Sequence, residues 1–469
     1  MYDYRGEPLK NLSVRREWSF ETTPDGGSVM DPLAAFATVS STVDELLGKP
    51  GMRSVSPTHI ALCSFWHSLL GIDSGGKPTI PVLGWADTRS GRYSAQLKKR
   101  FDEAEVHDRT GAHFHSSFWP AKLLWIRKEC PDAFAATETW MGFGDYVAMR
   151  LTGRRVTSVS MASATGIIDQ ARCDWDDQLL RYLKVPRTHL PEIAPSGTGL
   201  ELNRTAAKRF PQLKNTLLLP AIGDGAADHV GSAGLGKDRA SLMVGTSAAM
   251  RVAFSGPAPK RVPRGLWCYR IDERRVVVGG ALSDGGNLYD RCTTNFGLVP
   301  KSGDFRALSP AASGITVLPF FHGERSTGYR EDIQGAILGV TAENTVIEIL
   351  HAAMEAVAYR IAAISDGLAK VSKLKTIVAS GGALQRSPVW AQMIADVLGR
   401  DLKLSAAEES ASRGTVLLAL ESLGKIDCID SLESSEGPTL AFDPARHAAY
   451  KKARARHEAA ISKAYGTEK

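Results

Sequence analysis

The sequence predicts an α/β fold of two domains. Short apolar runs that end in glycine or a polar residue alternate with helical patterns along the chain. The first half has such runs at His59–Cys63 and Leu217–Ile222, and the second half repeats the arrangement at Thr376–Ala383. A length of 469 residues favours two or three domains, each large enough to bury its own core.

A shift to glycine- and alanine-rich sequence marks the domain boundary, which we place near residues 231–238. Beyond it the chain continues to a polar end that predicts a peripheral tail with a solvated terminal helix. The predicted units are an N-terminal domain, a C-terminal domain and this tail, which span residues 1–234, 235–425 and 426–469.

Composition argues against several classes of protein. Apolar and charged contents of 43% and 23% are typical of a globular enzyme. The net charge is +6 and the sequence has no long block of like charge, so nucleic-acid binding is not indicated. Six scattered cysteines without a CxxC pair argue against a disulfide framework and a zinc site. With no membrane-length apolar run and no signal peptide, we expect a cytoplasmic protein.

The first residues resemble the middle of a β-hairpin. Tyr4–Glu7 predicts a hairpin turn and Leu9–Trp18 a strand, but only three residues precede the turn. Further along, helical periodicity and capping residues predict several helices. These are Asp31–Leu47, Pro120–Lys128, Trp140–Leu151, a long helix that opens with the capping box Thr345–Glu348, a helix from Ser387 to Gly399, and Val416–Leu423.

Aromatic and charged residues follow two short strands of the first half. Trp66 and His67 come after the run at 59–63, and Trp85, Asp87 and Arg89 come after the run at 81–84. Ligand-binding loops of open α/β sheets lie at such strand ends. Core packing is an equal alternative for the two tryptophans, whereas polar groups here need a partner, which favours a functional role.

Asp224 follows the apolar run Leu217–Ile222 and stands between Gly223 and Gly225. A carboxylate at a strand end, flanked by residues without bulk, can meet a ligand without obstruction. Downstream, Gly245-Thr246-Ser247 follows a short strand and offers backbone N–H groups and hydroxyls to an anion. A base together with an oxyanion cradle suits phosphoryl transfer to a hydroxyl. Taken alone, however, the first motif could be an ordinary turn and the second an ordinary helix cap.

Paired glycines recur where strands of the second half meet helices. Gly285-Gly286-Asn287 opens a helix, and Gly381 and Gly382 end the run TIVASGGA. Glycines at such turns let a flat ring or a phosphate approach the backbone closely. Each pair alone is a weak signal, since many α/β turns carry one.

Taken together, these motifs resemble the FGGY family of carbohydrate kinases, and within it the bacterial gluconokinase-like branch. The resemblance extends from Met1 to about Lys425. The matching stretches are SFWHSLLGID, GWADTRS, TGAHFHSSFWPAKLLW, MASATGIID, IGDGAADHVGS, LMVGTSAAMR, FHGERSTGYR and ASGGALQRSPVWAQMIADVLGR.

The resemblance implies two actin-like, ribonuclease-H-like α/β domains that close over ATP and a sugar in the cleft between them. It implies that Asp224 is the general base and lies beside the Mg²⁺ that bridges the β- and γ-phosphates. The phosphate contacts implied are Gly245 and Thr246, and the nucleoside contacts are Gly286, Gly381, Gly382 and Arg386. The implied sugar contacts are Trp66 and His67, with Asp87 and Arg89 as neighbours.

The acceptor implied first is gluconate, with xylulose, other pentuloses or glycerol as alternatives. Arg89 or Lys122 could receive the carboxylate of gluconate, or both could be surface ion-pair residues. An actin- or chaperone-like ATPase is a further alternative, which the loops around Trp66 and Trp85 oppose. The resemblance leaves a homodimer open.

The chain departs from the family at its first phosphate motif, Asp-x-Gly-Thr, which has no counterpart here. The strand that carries this motif lies centrally in the N-terminal sheet, and its loss would leave backbone groups unpaired. We therefore expect Met1 to lie inside a longer reading frame, and the chain as given to be a poor kinase. The alternative is a truncated pseudokinase that binds sugar or nucleotide without transfer.

Overall fold

The computed structural model describes residues 1–466 except 299, 307, 408 and 432–435. The strands of the N-terminal half are β1 (Glu21–Thr22), β2 (Ser28–Met30), β3 (His59–Ser64), β4 (Leu70–Ile72), β5 (Val82–Leu83), β6 (Thr139–Met141), β7 (Val156–Ser158), β8 (Ile168–Asp169), β9 (Asp174–Trp175), β10 (Glu192–Ala194), β11 (Leu200–Glu201) and β12 (Leu217–Gly223). Its helices are α1 (Pro32–Leu47), α2 (Gly91–Arg100), α3 (Glu103–Thr110), α4 (Trp119–Glu129), α5 (Pro131–Ala136), α6 (Phe143–Thr152), α7 (Val159–Ser163), α8 (Asp177–Leu183), α9 (Arg204–Arg209) and α10 (Asp224–Ser232).

The strands of the C-terminal half are β13 (Arg239–Val244), β14 (Ala248–Ser255), β15 (Trp267–Arg270), β16 (Arg275–Leu282), β17 (Thr316–Leu318), β18 (Ala336–Leu338), β19 (Thr376–Ser380), β20 (Leu402–Ser405) and β21 (Glu436–Leu440). Its helices are α11 (Gly286–Asn295), α12 (Ser302–Arg306), α13 (Val346–Leu368), α14 (Gly382–Arg386), α15 (Pro388–Leu398), α16 (Ser410–Ser422) and α17 (Pro444–Tyr465). Within the described residues, no helix is long and apolar enough to span a bilayer.

A parallel pair of strands positions the N-terminal side of the site. β12 pairs in parallel with β3, with Leu217 opposite His59, and antiparallel with β11. Because parallel strands end at the same edge of a sheet, the residues after β3 and β12 meet there. The two predicted strands thus bring Trp66 and Asp224 together.

A seven-stranded sheet forms the C-terminal half, in the order β15-β16-β14-β13-β19-β20-β21. α13 packs on this sheet and is buried along most of its length. Thr345 caps α13 through the backbone N–H of Glu348, as the capping box predicts. The turn at residues 245–247 joins β13 to β14 as a hairpin and caps no helix.

Two crossing helices join the halves at the base of the cleft. α10 from the first half packs against α16 from the second. A Cβ at Gly231 would lie 1.9 Å from the carbonyl oxygen of Ser410, and a Cβ at Gly414 would lie 1.9 Å from that of Ala227. The helices therefore approach backbone to backbone, which only glycine permits.

Three expectations from the sequence are corrected. Residues 9–18, predicted as a strand, join no sheet, and Trp18 instead packs edge-on against Phe65 and Phe143 while it stays 44% exposed. The first residues of the predicted helix at 140–151 belong to β6, and the helix begins at Phe143. The segment after residue 425 is not peripheral, because β21 pairs with β20 and α17 buries Tyr450.

We expect Gly414→Ala to lower the free energy of unfolding by about 1–3 kcal/mol, because the new Cβ must push α16 off the α10 backbone. Helix propensity alone predicts the opposite sign. Gly303→Ala in α12 is the matched control, since no heavy atom lies within 4 Å of its Cβ position. Urea unfolding of both variants measures the difference, and an unchanged or stabilised Gly414→Ala protein would contradict the close crossing.

Candidate active site

Asp224 is the first residue of α10 and directly follows β12. Its Oδ1 accepts hydrogen bonds from the backbone N–H groups of Trp66, at 3.3 Å, and Gly225, at 2.8 Å. These bonds fix the carboxylate at the joint edge of β3 and β12. Among the described residues, Oδ2 has no hydrogen-bond partner, so one oxygen is left for a ligand.

The glycines beside Asp224 make room for Trp66 rather than for a ligand. A Cβ at Gly223 would lie 1.7 Å from Trp66 Nε1, and one at Gly225 would lie 2.5 Å from Trp66 Cζ3. The indole therefore lies directly on the turn that carries Asp224. The sequence identified the need for small residues here, but the space belongs to a protein side chain.

Trp66 itself packs between the domains. It is 5% exposed, its Nε1 donates to the Ser160 carbonyl at 3.1 Å, and its ring meets Tyr269 edge-on at 5.1 Å. Trp267 lies at 6.0 Å and stacks on Tyr269. The Trp66 ring is thus part of the core and its backbone N–H supports Asp224, while a contact between this ring and a sugar stays a prediction.

Burial raises the pKa of Asp224 above the usual value for aspartate. The side chain is reached by solvent from the cleft, but dense protein surrounds it on the other sides. The charge of Arg251 lowers the pKa, and the charge of Asp228 raises it. Arg251 also binds Asp228 at 2.9 Å, so one arginine serves both acids.

His67 presents a hydrogen-bond acceptor at the edge of the cleft. Its Nδ1 donates to the Ala164 carbonyl at 2.7 Å, because a carbonyl oxygen can only accept. Burial lowers the pKa of His67 to about 3, so the ring is neutral and Nε2 carries a lone pair. The half-buried ring packs against Phe118 and Tyr269. Nε2 can therefore accept from a ligand hydroxyl.

Asp87 and Arg89 are engaged with each other. Arg89 Nη2 donates to Asp87 Oδ2 at 2.6 Å and Nε to Oδ1 at 3.1 Å, and the guanidinium lies 4.6 Å from the centre of the Trp125 ring. Asp87 is 1% exposed and also accepts from the backbone N–H of Ser28. These contacts hold both residues at the joint between β2 and the loop after β5, and their expected place beside the sugar stays a prediction.

Lys122 is fully buried and holds three loops together. Its Nζ donates to the carbonyl oxygens of His67 at 3.1 Å, Gly84 at 2.7 Å and Ser117 at 2.9 Å. An ammonium group has three donors, so none is left for a substrate. Lys122 is therefore not available to bind the carboxylate of a sugar acid.

Arg325 is a further cation near this site, and the sequence motifs did not identify it as a site residue. Its Nη2 donates to the Leu282 carbonyl at 2.7 Å, and its guanidinium carbon lies 4.1 Å from the Trp85 ring centre. Burial lowers the pKa of Arg325 to about 10, so it stays charged at neutral pH. A signal existed, since Gly323-Glu324-Arg325 follows β17 at the same kind of strand end as His67.

The glycine turns of the second half form one group. Gly286 N–H donates to the Gly245 carbonyl at 2.8 Å, and Asn287 N–H donates to the Thr246 carbonyl at 3.0 Å. A Cβ at Gly381 would lie 2.3 Å from the Val244 carbonyl oxygen. The structure thus brings the three predicted nucleotide loops together at one edge of the seven-stranded sheet.

Two features of this group are open to a ligand. Thr246 is exposed, and neither its hydroxyl nor its N–H has a partner among the described residues. A Cβ at Gly382 would meet only Arg386 Nη1, at 3.2 Å. Arg386 is largely exposed and lies 3.9 Å from Asp290. By contrast, the glycines 286 and 381 serve the packing of the turns on one another.

The chain matches two family models that together cover most of its length. One describes the N-terminal domain of the FGGY family of carbohydrate kinases and matches residues 11–231. The other describes the C-terminal domain of the same family and matches residues 240–423.

The individual relatives are named as kinases of different substrates. The chain is 26% identical to a gluconokinase of Bacillus subtilis over 440 residues, 90% of this chain and 85% of that protein. It is 27% identical to a glycerol kinase of Rhizorhabdus wittichii over 456 residues, 93% and 88% of the two. The structure superposes on a gluconate kinase and a xylulose kinase of Lactobacillus acidophilus with TM-scores of 0.87 and 0.89, at 23% and 24% identity, over 99% and 100% of this chain and 95% and 96% of theirs. These likenesses confirm the two-domain actin-like fold.

We expect Lys122→Met to lower the free energy of unfolding by about 2–4 kcal/mol, because three buried carbonyl groups lose their donor. Lys128→Met, on the exposed face of the same helix, is the matched control and should change stability little. Thermal and urea unfolding of both variants measure the effect. Equal stabilities would show that Lys122 does not hold the three loops.

Proposed function

The chain belongs to the FGGY family of carbohydrate kinases, and on that basis we propose that it transfers the γ-phosphoryl group of ATP to a hydroxyl of a sugar or sugar acid, with gluconate as the first choice. Pentuloses such as xylulose, and glycerol, are the alternative acceptors. The observation that carries the proposal is Asp224, which is fixed through one oxygen and free at the other.

Asp224 is suited to act as general base at neutral pH. Burial raises its pKa and the charge of Arg251 opposes that shift, so the carboxylate is a stronger proton acceptor than an ordinary aspartate. Its Oδ2 has no partner among the described residues, and Nε2 of His67, the residue after Trp66, offers a second acceptor for hydroxyls. Two acceptors at one strand edge suit a polyhydroxylated substrate.

In the proposed reaction, the acceptor hydroxyl gives its proton to Asp224 while its oxygen attacks the γ-phosphorus. A new P–O bond forms, the bond to the β-phosphate oxygen breaks, and ADP leaves with the electron pair. Thr246 N–H and its hydroxyl are placed to donate to phosphate oxygens. Such a reaction depends on positioning the reactants and neutralising the charge of the phosphates more than on covalent chemistry by the protein.

Kinases of this family use ATP with a divalent metal ion, and we propose Mg²⁺. When bound, Mg²⁺ would neutralise charge on the phosphates. Asp224 would be the carboxylate beside it, as a hard oxygen ligand. On the nucleotide side, the backbone at Gly382, beside Arg386, is open to contact with the nucleoside.

Gluconate is preferred because proteins named gluconokinases are among the relatives that match over most of the chain. A homodimer and a cytoplasmic location stay predictions from the sequence.

We expect Asp224→Asn to reduce turnover by several orders of magnitude and to leave acceptor binding largely intact, because the amide keeps the shape but cannot take the proton. A coupled assay of ADP release with gluconate, xylulose, ribulose and glycerol measures turnover and ranks the acceptors. Near-normal turnover of the variant would exclude Asp224 as base. No turnover of gluconate by the wild-type protein, with turnover of another acceptor, would replace gluconate as substrate.

The rate should depend on pH through Asp224. Because the ionised carboxylate is the active form and its pKa is raised, kcat/KM should fall as the pH drops through a value above the usual aspartate pKa. Arg251→Met removes the charge that lowers this pKa, so the acid limb should move to higher pH. Arg274→Met, an exposed arginine, is the control and should leave the limb in place. A limb that moves to lower pH in Arg251→Met would contradict the assignment.

A further inference from the structure

Three buried hydrogen-bond donors around Asp224 have no acceptor. They are Nε of Arg251, the hydroxyl of Tyr269 and Nε of Arg325, and within the described part of the chain none has a partner. We call these three residues the donor cluster. Buried polar groups in folded proteins are nearly always hydrogen-bonded, so three unpartnered donors in one place call for a common acceptor.

The donor cluster borders the acceptor side of the cleft. The Cβ position of Gly225 lies 3.3 Å from Arg251 Nε, which places that guanidinium against the turn of Asp224. The Tyr269 ring lies 5.6 Å from the ring of His67. Arg325 lies over the Trp85 ring and bonds the Leu282 carbonyl, and its charge lowers the pKa of His67.

Among the described residues, no acid forms an ion pair with Arg325. Its neighbour Glu324 is bound by Arg360, which is also buried. Tyr269 and Tyr329 remain protonated, because burial raises the pKa of Tyr269 well above its usual range and that of Tyr329 to about 12. A guanidinium taken from water without a counter-ion is unfavourable, and an anion from outside the chain would restore the balance.

The nucleotide phosphates have a separate set of donors. Thr246 lies in the turn before β14, and Arg251 follows it by five residues along that strand, roughly 15 Å of extended chain. The donor cluster instead faces the residues after β3 and the Trp85 ring. Its position favours an anionic group on the acceptor over the transferred phosphoryl group.

We propose that the donor cluster binds the carboxylate of a sugar acid, so that the enzyme selects an acidic acceptor over a neutral polyol or ketose. The proposal rests on the kinase function proposed above for the location of the acceptor. Arg325 supplies the charge, Tyr269 adds a neutral hydrogen bond, and Arg251 connects the carboxylate site to the general base. Lys122 cannot take this role, since its three donors are already used, and the charge of Arg89 is paired with Asp87.

Calorimetry of the wild-type protein without nucleotide tests the proposal directly. The probes are gluconate and glucitol, in which a hydroxymethyl group replaces the carboxylate on the same carbon chain. We expect gluconate to bind more tightly than glucitol. Equal binding of the two, or no binding of gluconate, would overturn the proposal.

Two substitutions then locate the carboxylate. Arg325→Gln should weaken gluconate binding roughly 10- to 100-fold and leave glucitol binding unchanged, and Tyr269→Phe should weaken gluconate binding roughly 3- to 10-fold. Arg325→Lys keeps the charge and should retain part of the preference. Tyr359→Phe is the matched control, since this buried tyrosine lies beside Tyr450 and His457 in the C-terminal core.

If Arg325→Gln does not fold, Arg325→Lys and Tyr269→Phe still decide the question. A gluconate preference that survives in folded Arg325→Gln, or in both of the other variants at full strength, would overturn the proposal. The proposal would also be overturned if these variants lost kcat equally with acidic and neutral acceptors while their affinity for both acceptors was unchanged. That result would assign the donor cluster to the phosphoryl group. A wild-type protein that prefers gluconate but releases no ADP would support the carboxylate site and refute the kinase function.

Discussion

The close contact between Trp66 and the turn at residues 223–225 is the constraint on which the site depends. The indole occupies the space that a Cβ would need on either side of Asp224, while its backbone N–H holds the carboxylate. The same ring reaches Tyr269 in the other domain. The position of the acid is therefore coupled to the contact between the domains, and small residues at 223 and 225 are required by packing alone.

Charge in the cleft is distributed unevenly. Asp224 and Asp228 share Arg251, Asp87 is paired with Arg89, and Lys122 donates to three carbonyl oxygens. Arg325 is left with a carbonyl and an aromatic face. Among the acids and among the bases of the site alike, some side chains hold loops in place and others stay free to react.

Much of this arrangement could be predicted from the sequence, and the remainder depends on contacts that a linear pattern does not contain. The strand ends and the glycine turns were predicted, and the structure places Asp224, Gly245 and Gly381 at the corresponding edges. Whether a polar residue at such an edge meets a ligand depends on which distant group reaches it first. Lys122 finds three carbonyls from separate loops, and no spacing rule could reveal that. Arg251 lay inside an apolar strand, where a charged residue was itself a signal.

The crossing of α10 and α16 has a consequence for synthesis. α10 ends the first domain, but the surface that covers its glycine face comes from residues 410–422, near the end of the second. A nascent chain that has left the ribosome only as far as α10 exposes this face, together with the adjoining part of β3. The first domain can therefore complete its core only after nearly all of the second has been translated, which makes the two domains a single unit of biosynthesis despite their separate sheets.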